Sequence, residues 1–458
     1  MPLKGRSSHW KLRQREIRNV HRNEESVETK LRRIAEKAGS DAEVRFTSLF
    51  HLMNKELLLG CFEGLRTNAS SGIDGVTKAQ YAENLEENLH DLIGRLHRMA
   101  YIPQPVERVY IAKPGSAKKR PLGIPALEDK LVQAGLVRIL QAVYEQDFID
   151  DSYGFRPKRS CHDALRALSQ TVESGRVHHL VEADIRGFFD NVDQAHLMAF
   201  VAQRIADKRI LRYIKRFLKA GIQEDGVFRA SEQGTPQGGV ISPLLANIYL
   251  HYSLDLWFTR RYLKSCIGEA RLIRYADDYV VCFQNEADAK RFRIEMEDRL
   301  KQFGLEVAPE KTQKIEFGPL AQQKAKARGT KANTFDFLGF THYCGRTRDG
   351  KRFRMKRKTV SKRLTAKLKL YKEWLKKNRT LATQEILQTT ARKLRGHYGY
   401  YGVTDNSKGI SAYYYAVRGT LYKWLNRRGK KGCYSWSKFA RLLERHPLPT
   451  PRIMVNLF

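Results

Sequence analysis

Residues 274–283 read RYADDYVVCF, and two adjacent aspartates, Asp277 and Asp278, interrupt a run that is otherwise apolar and β-prone. Leu272, Ile273 and Tyr275 precede them and Tyr279, Val280, Val281 and Phe283 follow, a pattern that predicts two strands joined by a tight turn carrying the acids. Aspartate is a common turn residue, so the pair alone fits ordinary turn chemistry as well as catalysis. The rest of the chain decides between the two.

With 458 residues, 42% hydrophobic and 29% charged, the chain is long enough for more than one domain and a substantial core. Lys and Arg number 84 against 49 acids, a formal charge of +35, which points to a polyanionic partner such as nucleic acid or an anionic membrane. No apolar run approaches the roughly 20 residues of a membrane span. The polar start MPLKGRSSHWKLRQR also lacks the apolar centre of a secretory signal. The expectation is a cytoplasmic nucleic-acid protein with no membrane partner. The six cysteines are scattered singly, without a C-x-x-C pair, and read as reduced and structural. Among the histidines there is no H-E-x-x-H, and His178 and His179 read as polar residues entering a strand.

Residues 1–45 are polar, mixed in charge and helix-prone, with sparse apolar positions, and predict a loosely attached basic extension. From 46 to 350 helical patterns alternate with short β-rich runs, as in an α+β domain. Val132, Leu136, Ile139, Leu140 and Val143 mark one helix, and HHLVEADI, residues 178–185, marks a strand. Beyond 350 apolar residues thin out, and the strongly basic run from 351 to 379 has helical spacing. Residues 351–458 hold 28 Lys and Arg against four acids, so +24 of the +35 lies there. Tyr398, Tyr400, Tyr401, Tyr413, Tyr414, Tyr415 and Trp424 are interleaved with these cations, the composition of a surface that stacks bases while neutralising phosphates. Packing of some tyrosines into a small helical core is the alternative.

A third aspartate completes the chemistry. VEADIRGFFDNVD, residues 181–193, puts Asp184 at the end of an apolar strand, well ahead of the Asp277–Asp278 turn. Nucleotidyl transfer to a 3′-hydroxyl can be catalysed by two Mg²⁺ ions. Carboxylates are natural ligands for such hard ions, and two strands of one sheet can hold them within bridging distance.

The ordered motifs resemble those of group II intron-encoded reverse transcriptases and maturases, nearly end to end. ASSGIDGVT (69–77) resembles the N-terminal motif, KPGSAKKRPLGIPALEDKLVQ (113–133) the fingers, and SYGFRPKRSCHDAL (152–165) the block that follows. ADIRGFFDNV carries the first catalytic aspartate, QGTPQGGVISPLLANIYL (233–250) is similar to the long palm motif, and RYADD to the catalytic turn. GLEVAPEKTQ (304–313) and FDFLGF (335–340) resemble later palm motifs, and LRGHYGYYG (394–402) the thumb or maturase domain.

This resemblance implies a right-hand polymerase, with fingers and an antiparallel palm sheet in 46–350 and an α-helical, RNA-binding thumb in 351–458. It implies an RNA-directed DNA polymerase that also binds intron RNA, assists splicing and primes cDNA at a DNA target. Asp184, Asp277 and Asp278 would ligate two Mg²⁺ ions, with Mn²⁺ as a substitute, and the carbonyl of Ile185 would face them. Lys113 and Arg120 would meet the incoming dNTP triphosphate, and Gln237 would lie beside the nucleotide. Phe188 or Phe189 would block a ribose 2′-hydroxyl, Phe189 being favoured by its distance from Asp184. Arg156 would touch template or nucleotide phosphate; Lys356, Arg357, Lys358, Arg395, Tyr398 and Tyr401 would contact RNA. Oligomeric state is not implied.

Two departures qualify the resemblance. Nothing after PLPTPRIMVNLF resembles the Cys- and His-bearing endonuclease domain of some relatives, so second-strand cleavage is not expected. The thumb signature reads GHYGYYG where many relatives carry a Trp- and Asn-containing version. Two further readings compete: a domesticated relative serving DNA repair or a CRISPR-type pathway, and an RNA-binding maturase without polymerase activity. Intact carboxylates argue against the last, because they repel phosphate.

Overall fold

The computed structural model describes residues 25–112, 119–236, 238–428 and 434–458. The chain divides into two compact units. Lys113 and Gln237 lie outside the described residues, as do the first 24 residues of the expected extension.

The first unit comprises residues 1–103, 126–148 and 201–217. Its described part is built on helices, among them Val27–Ser40, Lys55–Gly64, Leu85–His97 and Leu127–Tyr144. The expected helix around Val132 is present as Leu127–Tyr144, with Leu131, Leu136, Ile139, Leu140 and Val143 fully buried. Residues 27–40 correct the expectation of loose attachment. Ser26 caps their helix by accepting from the Thr29 amide, and Val27, Leu31 and Ala38 are buried. Arg204 donates to the carbonyls of Ala38 and Ala42 at the helix end. Three well-spaced apolar residues suffice because a neighbouring helix, Leu127–Tyr144, receives them.

The second unit comprises residues 104–125, 149–200 and 218–458. Its strands are β1 (Val106–Ala112), β2 (Lys119–Ile124), β3 (His179–Asp184), β4 (Ile222–Glu224), β5 (Val227–Arg229), β6 (Ala270–Tyr275), β7 (Asp278–Phe283), β8 (Gln313–Glu316), β9 (Thr334–Phe337), β10 (Phe340–Arg346) and β11 (Phe353–Thr359). They form sheets in the orders β2-β1-β4-β5, β6-β7-β3-β8 and β11-β10-β9. The central sheet is antiparallel throughout, and the predicted hairpin is its β6–β7 pair. The architecture is mixed α+β, as the sequence predicts.

The basic run after 350 is only partly helical. Its first segment is β11, paired along its length with β10, so residue 350 falls in the turn of a hairpin. Helices follow at Ser361–Lys377, Thr383–Tyr401, Ser407–Leu425 and Trp436–Arg445. One hydrophobic core runs from Leu168 and Val280 of the sheet region through Phe337 and Phe340 to Leu394, Tyr413 and Leu421. Among the described residues, no helix is long and apolar enough to cross a membrane.

Candidate active site

The central sheet brings the three aspartates together. In the β3–β7 ladder Asp184 stands opposite Asp278, and in the β6–β7 hairpin Tyr275 stands opposite Asp278, leaving Ala276 and Asp277 as the two-residue turn. Ala276 has φ +57°, the positive value that a tight hairpin turn of this length demands at its first central residue.

That turn is held from behind by a buried ion pair. Arg274 and Asp255 are both fully withdrawn from solvent, joined by Nε–Oδ1 at 2.8 Å and Nη2–Oδ2 at 2.5 Å. The remaining Nη1 donates to Asn247 Oδ1 and to the Ala276 carbonyl, each at 3.0 Å. Asn247 Nδ2 in turn donates to the Gly154 carbonyl at 2.7 Å. Gly154 lies against the turn so closely that a Cβ there would be 2.3 Å from the Ala276 nitrogen. The glycine of SYGFRP therefore serves close approach of two backbones.

Beside Asp184 the chain segment 306–308 adds a short bridge. Arg186 N–H donates to the Glu306 carbonyl and Ala308 N–H to the Asp184 carbonyl, each at 2.8 Å. This pattern turns the Ile185 carbonyl to the opposite side, the side of Asp277. Lys311 forms an ion pair with Asp184, and both side chains keep solvent exposure.

The carboxyls crowd one another electrostatically. Burial pushes the Asp278 carboxyl up to about 7, and the charges of Asp277, Glu182 and Asp184 add to the rise while Arg363 opposes it. Asp277 is raised by burial and by Asp184, against Arg120 and Arg274. Glu182, on β3 two residues before Asp184, is pushed up to about 7 by burial, with Asp336 and Asp184 contributing and a Gln313 hydrogen bond opposing.

Among the described residues, no three His, Cys, Asp or Glu side chains already converge on one point as an ion-holding group. The donor chemistry nonetheless fits divalent cations. Asp184, Asp277 and Asp278 offer only hard carboxylate oxygens, and crowded like charges in a half-buried place are relieved by a cation of the Mg²⁺ type.

Around this centre the structure sorts the other predicted residues. Arg120, on β2, is exposed and acts on the Asp277 charge. Phe188 is buried, edge-on to Phe189 and Tyr249, so it is a core residue and not a nucleotide contact. Phe189 keeps an exposed edge, and its carbonyl accepts from the Thr235 amide at 2.8 Å, joining the turn after β3 to the QGTPQGG loop. Gly238 of that loop has φ +110°, and a Cβ there would be 2.2 Å from the Gly123 carbonyl of β2.

Several expected nucleic-acid contacts are corrected. Arg156 is buried and donates to the carbonyls of Ile149 at 2.7 Å and Ser152 at 2.9 Å, so it braces its own loop. Arg357 is fully buried because β11 alternates, sending Met355, Arg357 and Thr359 inward and Lys356 and Lys358 outward. Burial lowers its guanidinium to about 10, and Nη2 donates to Ser169. Tyr398 is buried with its hydroxyl donating to the Pro449 carbonyl, and Tyr401 is also buried. Tyr413 and Trp424 join the same core, whereas Tyr415 remains exposed, so most of the interleaved aromatics build the helical core. Lys358 and Arg395 are exposed and Lys356 is half-buried.

Comparison with known proteins identifies the family. The family model described as reverse transcriptase (RNA-dependent DNA polymerase) matches residues 111–342. The chain belongs to the reverse transcriptase family. The reverse transcriptase match contains all three aspartates, Arg120 and Phe189, and ends before β11. The group II intron-encoded protein LtrA of Lactococcus lactis subsp. cremoris is 40% identical over 222 residues, covering 48% of this chain and 37% of that protein. Protein YkfC of Escherichia coli K12 is 39% identical over 253 residues, covering 53% of this chain and 65% of that protein. The mitochondrial nuclear intron maturase 3 of Arabidopsis thaliana is 30% identical over 129 residues, covering 28% and 18%. The chain therefore spans less than two thirds of the length of each of these relatives.

Proposed function

We propose that this chain is an RNA-directed DNA polymerase of the group II intron-encoded kind, with Asp184, Asp277 and Asp278 as its metal ligands. The observation that carries the reading is the register of the central sheet, which sets Asp184 opposite Asp278 with Asp277 in the adjoining turn. Two Mg²⁺ ions, with Mn²⁺ as a substitute, would supply activation of the primer 3′-hydroxyl and neutralisation of the triphosphate and leaving pyrophosphate. The protein's own contribution is to hold ionised carboxylates on a rigid turn, which the Arg274–Asp255 pair and the close seat on Gly154 support.

In this reading the β1–β2 hairpin belongs to the fingers, the central sheet is the palm, and the helices after Ser361 are the thumb. Arg120, and Lys113 before it, would bring positive charge to a dNTP triphosphate, with Gln237 beside the nucleotide. Phe189 is the ribose gate, because Phe188 is committed to the core. The Ile185 carbonyl faces the metal site. Lys356, Lys358 and Arg395 contribute to RNA binding, and the RNA partners are a template and an intron RNA whose splicing and DNA-primed mobility the protein assists.

Primer extension on an RNA template in Mg²⁺ tests this reading, comparing dNTPs with rNTPs. DNA synthesis by the wild type, with ribonucleotide discrimination reduced about tenfold or more in Phe189→Val, supports it. A well-folded protein that binds RNA and extends no primer contradicts it.

A further inference from the structure

Phe155 differs from Ser152, Tyr153, Gly154 and Arg156 of the SYGFRP segment, all four of which are buried. The neighbours are committed to the fold: Tyr153 N–H donates to the Arg274 carbonyl at 2.8 Å, and Ser152 bridges Arg274 in parallel. Gly154 abuts the Ala276 backbone and is held by Asn247, and buried Arg156 ties down the carbonyls of Ile149 and Ser152. Between them Phe155 adopts φ +56°, a left-handed backbone that a bulky residue takes only at a cost. The residue is 53% exposed, and its ring centroid lies 6.3 Å from that of Tyr275, the residue preceding the catalytic turn.

A ring held outward on a strained backbone gains little from burial. The bracing on both sides instead fixes it beside Tyr275 and the Ala276–Asp277 turn. We propose that Phe155, together with Tyr275, forms an apolar shelf that receives the terminal base pair of the primer–template duplex, Phe155 acting as a positioning residue for the primer 3′ end. This rests on the polymerase reading above. Base and deoxyribose faces offer apolar surface that aromatic rings contact without regard to sequence. The duplex end must also lie beside Asp277 and Asp278 if its 3′-hydroxyl is to react. Because the loop is already braced, little ordering entropy remains to be lost when the duplex arrives.

The test uses the full chain and a primer carrying 2-aminopurine at its 3′ end, annealed to an RNA template. Wild type quenches the fluorophore, Phe155→Ala does not, and Phe155→Trp restores quenching. In steady-state extension, Phe155→Ala raises KM for primer–template about tenfold and leaves KM for dNTP within about twofold. Phe155→Gly melts at the wild-type temperature or above it, because glycine adopts the left-handed backbone without the Cβ cost, and Phe155→Ala, which keeps that Cβ, melts close to wild type. If wild type extends primers and Phe155→Ala matches it in quenching and KM, the shelf is refuted while the polymerase reading stands. A lowered melting temperature with both KM values rising together makes Phe155 a structural residue and also refutes the shelf. Failure of the wild type to extend any primer overturns the polymerase reading itself.

Discussion

Arg274 and Asp255 form an ion pair from which water is wholly excluded, and the same guanidinium holds the carbonyl of Ala276 in the turn that carries Asp277. A buried pair of this kind is costly to break from one side, because the partner's charge is left uncompensated. Asp255 itself emerges from a widened, π-helical turn, His251–Asp255, a local distortion often found at functional sites.

Arg274→Met is therefore expected to destabilise the protein by about 3–5 kcal/mol. Adding Asp255→Leu should recover most of that stability, since both charges are then gone, without recovering polymerase activity, since the Ala276 carbonyl still lacks its donor. Denaturant unfolding of the single and double variants checks the first part and primer extension the second. A double variant with full activity contradicts a role for this pair in holding the turn.

The Asp278 carboxyl titrates near 7 in the folded protein and at about 4 in an unfolded chain. Its folded-state pKa is raised, so its ionisation opposes folding above about pH 7, and the penalty fades as pH falls from about 7 towards 4. Without divalent ions, Asp278→Asn should raise the melting temperature at pH 8 by about 2–4 °C per kcal/mol of relieved penalty, and by almost nothing near pH 4.5. Mg²⁺ should stabilise the wild type more than the variant. Thermal melts at the two pH values decide it; an equal effect at both contradicts the crowding of carboxylates as its cause.

Adjacent basic residues on β11 should behave differently. Lys358→Ala removes an exposed charge and is expected to reduce the slope of log affinity for RNA against log salt by about 1, with the melting temperature unchanged. Arg357→Met should leave that slope as it is, because the guanidinium is fully buried. Salt titrations of RNA binding for the two variants separate them, and a lowered slope for Arg357→Met contradicts its placement.

Gly154→Ala is a small substitution at a distance from the carboxylates, yet its Cβ would meet the Ala276 nitrogen at 2.3 Å. The turn must shift to admit it, and a displacement of this order is expected to cost about 100-fold in polymerase turnover. Primer extension at saturating dNTP measures the loss; wild-type turnover shows that the seat on Gly154 does not fix the turn.

The candidate centre is legible in the sequence because short, nearly continuous apolar and β-prone runs bracket each acid, as buried strands do, and leave the acids at strand ends and in the gap between strands. Asp184 at a strand end and Asp277–Asp278 in a hairpin needed no tertiary information beyond a shared sheet. What supports them is not legible in this way. Arg274 sits among Leu272 and Ile273 with no local sign of Asp255, whose carboxylate comes from a distant helical segment. Arg357 lies in a run so basic that composition hides the strand alternation of MKRKT, where the inward set is Met355, Arg357 and Thr359. Tyrosines interleaved with lysines suit a stacking surface and a helical core equally well, and only helix packing distinguishes buried Tyr413 from exposed Tyr415. Lys311 lies in a stretch matched by motif alone, and its ion pair with Asp184 depends on the bridge at Ile185 and Val307.

The central claim is that Asp184, Asp277 and Asp278 are devoted to metal-dependent nucleotidyl transfer, while affinity for RNA is carried by basic surfaces elsewhere. The most direct measurement is RNA-templated primer extension with dNTPs and Mg²⁺ by wild type and Asp277→Ala, alongside the affinity of each for the same RNA. The account predicts extension reduced at least about 10³-fold in the variant, several kcal/mol of lost transition-state stabilisation, with RNA affinity within about threefold of wild type. Extension that survives the substitution, or RNA affinity that falls in step with it in a folded variant, contradicts the account.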